Sequence, residues 1–293
     1  MNFLQSLFLG IVQGLTEFLP VSSSGHLAIF QNIFHIDTGS SMLYDVLLHL
    51  ATLLVVFIYF RKEIWQLIRT FFSMIGDLFY NFRARFFPGK DKDEIVLRRI
   101  ITSNYRKFVL LIIVSTIPTG IMGYLGKKLI ADASETLLVP GICLMITAVL
   151  LFLSDRVTDN YKIPKDVSWR EAVIIGIAQG FATLPGLSRS GTTISTCLFL
   201  KLDRKFAVKY SFILSIPAIL GASLLEIKDI GTEKITASVG VTYAVGMVAA
   251  AVVGYLCIRF MMKVVSHRKF RYFAYYCFAA GILAVVGHFV LIR

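Results

Sequence analysis

The sequence predicts an all-α polytopic membrane protein with an inverted-topology repeat. Six transmembrane helices are expected, with two re-entrant broken-helix segments and one interfacial amphipathic helix. Three observations carry this expectation. Of 293 residues, 56% are hydrophobic and only 16% charged, with a mean hydropathy of +0.73. A soluble domain of this length exposes far more charge, so lipid is the expected solvent. Six apolar runs reach the roughly 20 residues that a helix needs to cross a bilayer. Two further apolar runs are broken in the middle by polar residues, Gly and Pro, and they resemble each other.

The six uninterrupted runs are 40–60, 107–126, 137–154, 209–226, 238–258 and 272–292. The interrupted ones are 3–34 and 172–200. Over 64–87, Gln66, Thr70, Ser73, Asp77 and Asn81 recur at helical spacing as one polar stripe. That pattern suits an interfacial helix, or an amphipathic hairpin arm, better than a lipid-exposed span. Basic residues set the orientation. The connectors 61–107, 155–171, 201–209 and 259–272 hold 11, 4, 4 and 5 Lys/Arg, which is 24 of the 30. Placing these four in the cytoplasm makes all six spans alternate and puts both chain ends outside. Segment 3–34 must then enter and leave from the outer side, and 172–200 from the cytoplasm.

The two interrupted segments align without a gap, GIVQGLTEFLPVSSSG at 10–25 against GIAQGFATLPGLSRSG at 176–191. Gly10, Gln13, Gly14, Ser22, Ser24 and Gly25 fall on Gly176, Gln179, Gly180, Ser188, Ser190 and Gly191. Each is followed by three spans, and an odd number per unit inverts the second copy against the first. Residues 1–293 are thus expected to form a single integral membrane domain. The first repeat covers 1–154, with the cytoplasmic insertion 61–107, and the second covers 172–293.

The net charge of +12 reflects cytoplasmic loops near anionic lipid. No basic patch with interleaved aromatics lies outside the membrane-flanking loops, so nucleic acid is not an expected partner. Cys143, Cys197, Cys257 and Cys277 are scattered through apolar runs and read as buried small hydrophobes. The N-terminus lacks the basic region and cleavage site of a signal peptide.

Irregular backbone at membrane depth is tolerated only where protein or a water-filled cavity satisfies it. The break residues are therefore candidates for function. Gln13 and Glu17, four apart, share a helix face. Pro20 ends that half-helix, Ser22, Ser23 and Ser24 offer caps to the next, and His26 follows Ser23 at i+3. A carboxylate in a mid-membrane helix costs about 2.5–3.5 kcal/mol on insertion scales, so Glu17 needs a partner or a task. In the second segment Pro185 and Gly186 break the helix, and Ser188, Arg189, Ser190, Thr192 and Thr193 follow. A hydroxyl-rich turn opening a helix aims backbone N–H groups at one spot. An Arg there adds a planar fork for phosphate, carboxylate or sulfate. A carboxylate together with phosphate oxygens is a common way of holding Mg²⁺. A Ser or His beside a phosphoryl group can act as nucleophile or base. The parts suit phosphoryl transfer on a membrane-embedded substrate. Asp45 and His49, also four apart, are expected to hydrogen-bond each other, or else to support Glu17 or His26. His35, His267 and His288 have no ligand-like company.

The run Gln13-Gly-Leu-Thr-Glu17-Phe-Leu-Pro-Val-Ser-Ser-Ser-Gly-His26 resembles the first signature of the bacitracin-resistance-type undecaprenyl-diphosphate phosphatases. The run Pro185-Gly-Leu-Ser-Arg-Ser-Gly-Thr-Thr193 resembles their second. The resemblance implies a multi-pass enzyme of the bacterial inner (plasma) membrane, with its active site towards the outer face. It would hydrolyse undecaprenyl diphosphate to undecaprenyl phosphate and inorganic phosphate, recycling the lipid carrier of cell-wall synthesis and conferring bacitracin resistance. By position, Gln13 and Glu17 match an element associated with the diphosphate and a divalent cation, Mg²⁺ or Ca²⁺. Ser23 and His26 match positions for nucleophile and base, so that Ser23, deprotonated by His26, attacks the terminal phosphorus, or His26 activates water directly. Ser22, Ser188, Ser190 and Thr193 join substrate binding, and Arg189 holds the diphosphate. Gln13 stands where some members carry Glu, leaving one formal charge on this element. Partners are the prenyl diphosphate and membrane lipid, and a homodimer is left open. The main alternative is a secondary transporter or lipid flippase for a phosphate-bearing prenyl lipid, since inverted repeats with broken helices also build transporters. A relative of the type 2 phosphatidic acid phosphatases fits less well. Ser24-Gly25-His26 and Ser188-Arg189 echo that group, but its upstream Lys/Arg–Pro element is missing.

Overall fold

Each half-helix of the interrupted segments begins at a side chain that satisfies its first backbone N–H groups. Asn2 accepts the Gln5 N–H at 2.8 Å, and Gln5 returns the bond to Asn2 N at 2.9 Å. Ser22 accepts from Gly25 N at 3.3 Å. Ser168 and Glu171 form a second reciprocal cap, and Ser188 accepts from Gly191 N at 3.1 Å. A computed structural model describes residues 1–34, 41–86, 97–227, 236–266 and 269–291, so His35 and His267 lie outside the described residues. In it segment 3–34 is α1 (Phe3–Phe18) and α2 (Ser23–Ile33), and segment 172–200 is α8 (Trp169–Phe181) and α9 (Arg189–Phe199).

The uninterrupted runs become α3 (Ser41–Tyr59), α5 (Asn104–Leu125), α7 (Leu138–Asp155), α10 (Arg204–Ile227), α11 (Ala237–Ser266) and α12 (Phe270–Leu291). The last five are each long and apolar enough to cross a membrane. The sixth, α3, passes the same test jointly with α4 (Arg61–Phe86), from which it is bent by 85°. The short α6 (Lys127–Ser134) links α5 to α7. The protein is therefore an all-α, multi-pass membrane protein. All four cysteines are buried and free.

The polar stripe of α4 docks the segment ahead of α5. Asp77 pairs with Arg98 at 3.0 Å and Arg106 at 2.7 Å. Ser73 accepts from Arg106, and Asn81 exchanges two hydrogen bonds of 2.8 Å with the Arg98 backbone. Elsewhere α4 leaves Trp65, Phe72, Phe79 and Phe82 exposed. The polar stripe thus packs on the segment ahead of α5 and leaves an aromatic face outward, as an amphipathic hairpin arm does.

Packing between helices follows an exchange pattern. α1 lies along α11 and α8 along α5, while α7 and α12 pack on each other. Close approach is built from matched glycines. A Cβ on Gly10 would sit 2.2 Å from the Gly246 carbonyl oxygen, and one on Gly176 would sit 2.2 Å from that of Ser115. Tyrosines staple both contacts, Tyr44 hydroxyl to Ser6 and Tyr210 hydroxyl to Ser115, each at 2.8 Å.

Gly176→Ala should therefore overpack the α5–α8 contact, at about 1–3 kcal/mol, and lower the unfolding temperature in detergent by several degrees. Gly221→Ala, with nothing within 4 Å of the added methyl, should leave that temperature unchanged or raise it. A second test concerns Asp77, whose carboxyl is held below its ordinary range by hydrogen bonds from Arg98 and then Arg106. The stabilisation this gives is full above the unfolded carboxyl's pKa, about 3.9, and is lost as pH falls through the lower folded value. At neutral pH Asp77→Asn should raise trypsin cleavage at Arg98 and Arg99 several-fold. Wild type should loosen there only under acid, read as pepsin cleavage within residues 97–103.

Candidate active site at the two helix breaks

The two breaks meet back to back. A Cβ on Gly25 would lie 2.7 Å from the Gly186 Cα, and one on Gly191 would lie 3.3 Å from the Pro20 Cβ. Gly186 has φ +89°, a backbone conformation that glycine adopts without penalty. Ser22 takes φ 72° with a side chain, which costs of order 1–3 kcal/mol and marks a constrained position. As a result the N-termini of α2 and α9 converge, bringing two positive helix ends to one place.

Four of the expected residues gather there. Glu17, 6% exposed, is bound through Oε1 by the Arg189 guanidinium. Its Oε2 accepts from Ser23 Oγ at 2.6 Å and from Gln13 Nε2 at 3.1 Å. His49 Nε2 lies 3.8 Å from the same oxygen. Ser23 and the Arg189 side chain are partly open, while Gln13 is fully buried. Two polar atoms of this cluster are left over, Arg189 Nη1 and Gln13 Oε1, both buried without a hydrogen-bond partner. A buried orphan donor and a buried orphan acceptor in one cluster are costly unless a ligand uses them.

The second loop is bonded tightly. Ser188 N donates to Thr147 Oγ1 at 3.0 Å, and that hydroxyl reaches the Gly186 carbonyl at 3.1 Å. Ser188 and Ser190 hydroxyls lie 3.4 Å apart, and Ser190 also donates to the Leu19 carbonyl of the first break. Ser22 keeps its hydroxyl on the Gly25 N–H.

Two expectations need correction. Ser23 and His26 do not touch. The Ser23 hydroxyl is drawn back to Glu17, whereas His26 bonds Ser22 O through Nδ1 and the Tyr276 hydroxyl through Nε2, each at 2.8 Å. Thr193 faces away from the breaks, with its hydroxyl on the Arg189 carbonyl and on Ser211. Asp45 and His49 do hydrogen-bond each other, through the Asp45 backbone and not its carboxylate. His49 Nδ1 bonds the Asp45 backbone carbonyl at 2.8 Å, while the Asp45 carboxylate takes the Gln31 amide. His49 thereby turns Nε2 towards Glu17, so both readings open from sequence hold. Tyr276 and Thr147 carry no sequence signal that separates them from other lipid-span residues.

By donor type, the oxygens present would suit a divalent cation. Among the described residues no three His, Cys, Asp or Glu side chains gather. A cation here would draw on Glu17, the orphan Gln13 Oε1 and oxygens of a bound phosphate, an oxygen-rich set of the kind Mg²⁺ and Ca²⁺ favour.

A family model described as bacitracin resistance protein BacA matches residues 6–283. Among curated proteins, the chain is 41% identical over 291 residues to an undecaprenyl-diphosphatase of Methanosphaera stadtmanae, covering 99% of this chain and 100% of that one. It is 41% identical to one of Methanobrevibacter smithii, with 98% of both chains covered. To one of Alkaliphilus metalliredigens it is 38% identical over 98% of both chains.

The Glu17–Arg189 pair can be tested without substrate. Removing either partner strands the other, so Glu17→Ala and Arg189→Ala should each destabilise by roughly 3–5 kcal/mol. The double variant should lose less than the sum, by about 1–3 kcal/mol, measured by denaturation in detergent.

Proposed function

This chain belongs to the bacitracin resistance protein BacA family, and from that membership and the site above we infer that it hydrolyses undecaprenyl diphosphate to undecaprenyl phosphate and inorganic phosphate. It is a phosphatase, and bacitracin resistance is the family's association. The single observation that best supports the reaction at this site is the buried, unpartnered Nη1 of Arg189 beside two converging helix N-termini. An anion is the ligand that uses all of these donors together.

In this reading Arg189 holds the diphosphate, exchanging one of its contacts with Glu17 for a phosphate oxygen. Ser22, Ser188 and Ser190 keep the two loops in register, so that their first-turn N–H groups stay aimed at the bound oxygens. Ser23 is poised as nucleophile, because its hydroxyl already donates to Glu17, which can take the proton. His26 serves as base for water. Charge that develops on the phosphoryl oxygens meets donors fixed in advance, and preorganisation of this kind is a large source of rate enhancement. A divalent cation, Mg²⁺ or Ca²⁺, would be held by Glu17 and Gln13 Oε1 and would neutralise charge on the diphosphate. Its affinity depends on the substrate's own oxygens, since Gln13 adds no charge.

The remaining placements follow from charge and packing. The exchange pattern, α1 on α11 and α8 on α5, supports two inverted units, 1–154 and 172–293. The four basic connectors lie in the cytoplasm, and the site opens to the outer face of the plasma membrane. The prenyl chain stays in lipid.

Phosphate release from undecaprenyl diphosphate by purified, detergent-solubilised protein tests this directly. Release should stop on chelation and return with Mg²⁺ or Ca²⁺. Arg189→Ala should lower kcat/KM at least tenfold, which is about 1.4 kcal/mol. Wild type that binds the lipid yet releases no phosphate would instead favour the flippase.

A further inference from the structure

We propose that Tyr276 is a positioning residue for His26, fixing which ring nitrogen is presented for chemistry. The proposal rests on the reading of His26 as the base. His26 is 4% exposed, and both ring nitrogens are engaged. Nδ1 is 2.8 Å from the Ser22 carbonyl, which can only accept, so Nδ1 carries the proton. Nε2 therefore holds the lone pair, and the Tyr276 hydroxyl, also at 2.8 Å, donates to it. The phenol and imidazole planes are nearly parallel, 9° apart, with centroids 5.6 Å apart, so the hydrogen bond lies close to the plane of the imidazole lone pair. Turning the imidazole over would put carbon atoms where both hydrogen bonds are now made. Ser22 and Tyr276 thus hold the ring from opposite edges.

The clamp reaches across 250 residues of chain. The next residue on the same helix, Cys277, lies 3.6 Å from the Pro20 carbonyl, so α12 grips the first break at two adjacent positions. The two rings differ in exposure, Tyr276 being 49% exposed. A water reaches Nε2 only when the half-exposed Tyr276 side chain turns as a whole, and the Ser22 bond at Nδ1 then keeps Nε2 aimed. Phe30 is the other ring near the imidazole, at 6.4 Å, and it offers no hydrogen bond.

Tyr276→Phe keeps the ring and removes the O–H, whereas Tyr276→Leu removes both. In purified protein the Phe variant should lose about tenfold in kcat with KM within twofold, and the Leu variant should lose more. In a His26→Gln background, Tyr276→Phe should change the residual rate less than twofold, because its effect runs through the imidazole. Nitrogen-15 NMR of labelled histidine gives a readout apart from rate, with His26 assigned by its loss in His26→Gln. Wild type should show the Nδ1–H tautomer with a hydrogen-bonded Nε2, and the Phe variant should lose that Nε2 bond. A Phe variant with unchanged kcat and an unchanged Nε2 resonance would overturn the assignment, as would an equal loss in the His26→Gln background. Wild-type kcat in His26→Gln alone would instead remove the base reading, and the proposal with it.

Discussion

The Glu17–Arg189 ion pair holds the two halves of the site in one register. It joins residues 172 apart in sequence, one from each interrupted segment, where a lone carboxylate costs about 2.5–3.5 kcal/mol on insertion scales. A buried pair of this kind adds little net stability, because desolvation offsets attraction. Its effect is specificity of arrangement. With Glu17 on Arg189, Gly25 must lie on Gly186 and Gly191 on Pro20, and the two half-helix N-termini face one another. Sliding either break along the other would strand a charge.

The aligned segments do not contribute alike. Continuing the ungapped register puts Glu17 on Thr183, Ser23 on Arg189 and His26 on Thr192. The first break thus carries carboxylate, nucleophile candidate and imidazole, and the second carries the cation. Gln13 and Gln179 are the common remainder, each with a buried, unpartnered Oε1. Thr192, where the second copy lacks an imidazole, also has a buried hydroxyl without a partner. The two segments share their backbone devices, the caps and the glycine contacts, and divide the reactive groups between them.

Much of this was legible in the chain because the signals are local. Span length, the Pro20 and Pro185 breaks, the Ser22 and Ser188 caps and the α4 stripe each follow from neighbouring residues. The gathering of Gln13, Glu17, Ser23 and Arg189 was legible because the two motifs align. What escaped was direction. Thr193 reads as part of the loop, yet one helical turn carries its hydroxyl onto the Arg189 carbonyl and Ser211. Spacing makes Ser23 and His26 neighbours, yet a nearer carboxylate and a backbone carbonyl take their polar atoms. Tyr276 is one of 12 tyrosines, and only the crossing of α12 past α2 singles it out.

The exchange of packing partners bears on how the molecule is made. α1 is seated by α11 and α8 by α5, so the first half-helix enters the membrane well before the surface that holds it exists. Glu17 is synthesised 172 residues ahead of Arg189, an interval of roughly 10–30 s at ordinary elongation rates. Through that interval the carboxylate must sit protonated, stay near the headgroups or be sheltered by insertion machinery. Assembly of the site is thus deferred to the end of translation, and a chain truncated before α11 leaves its first segment without a seat.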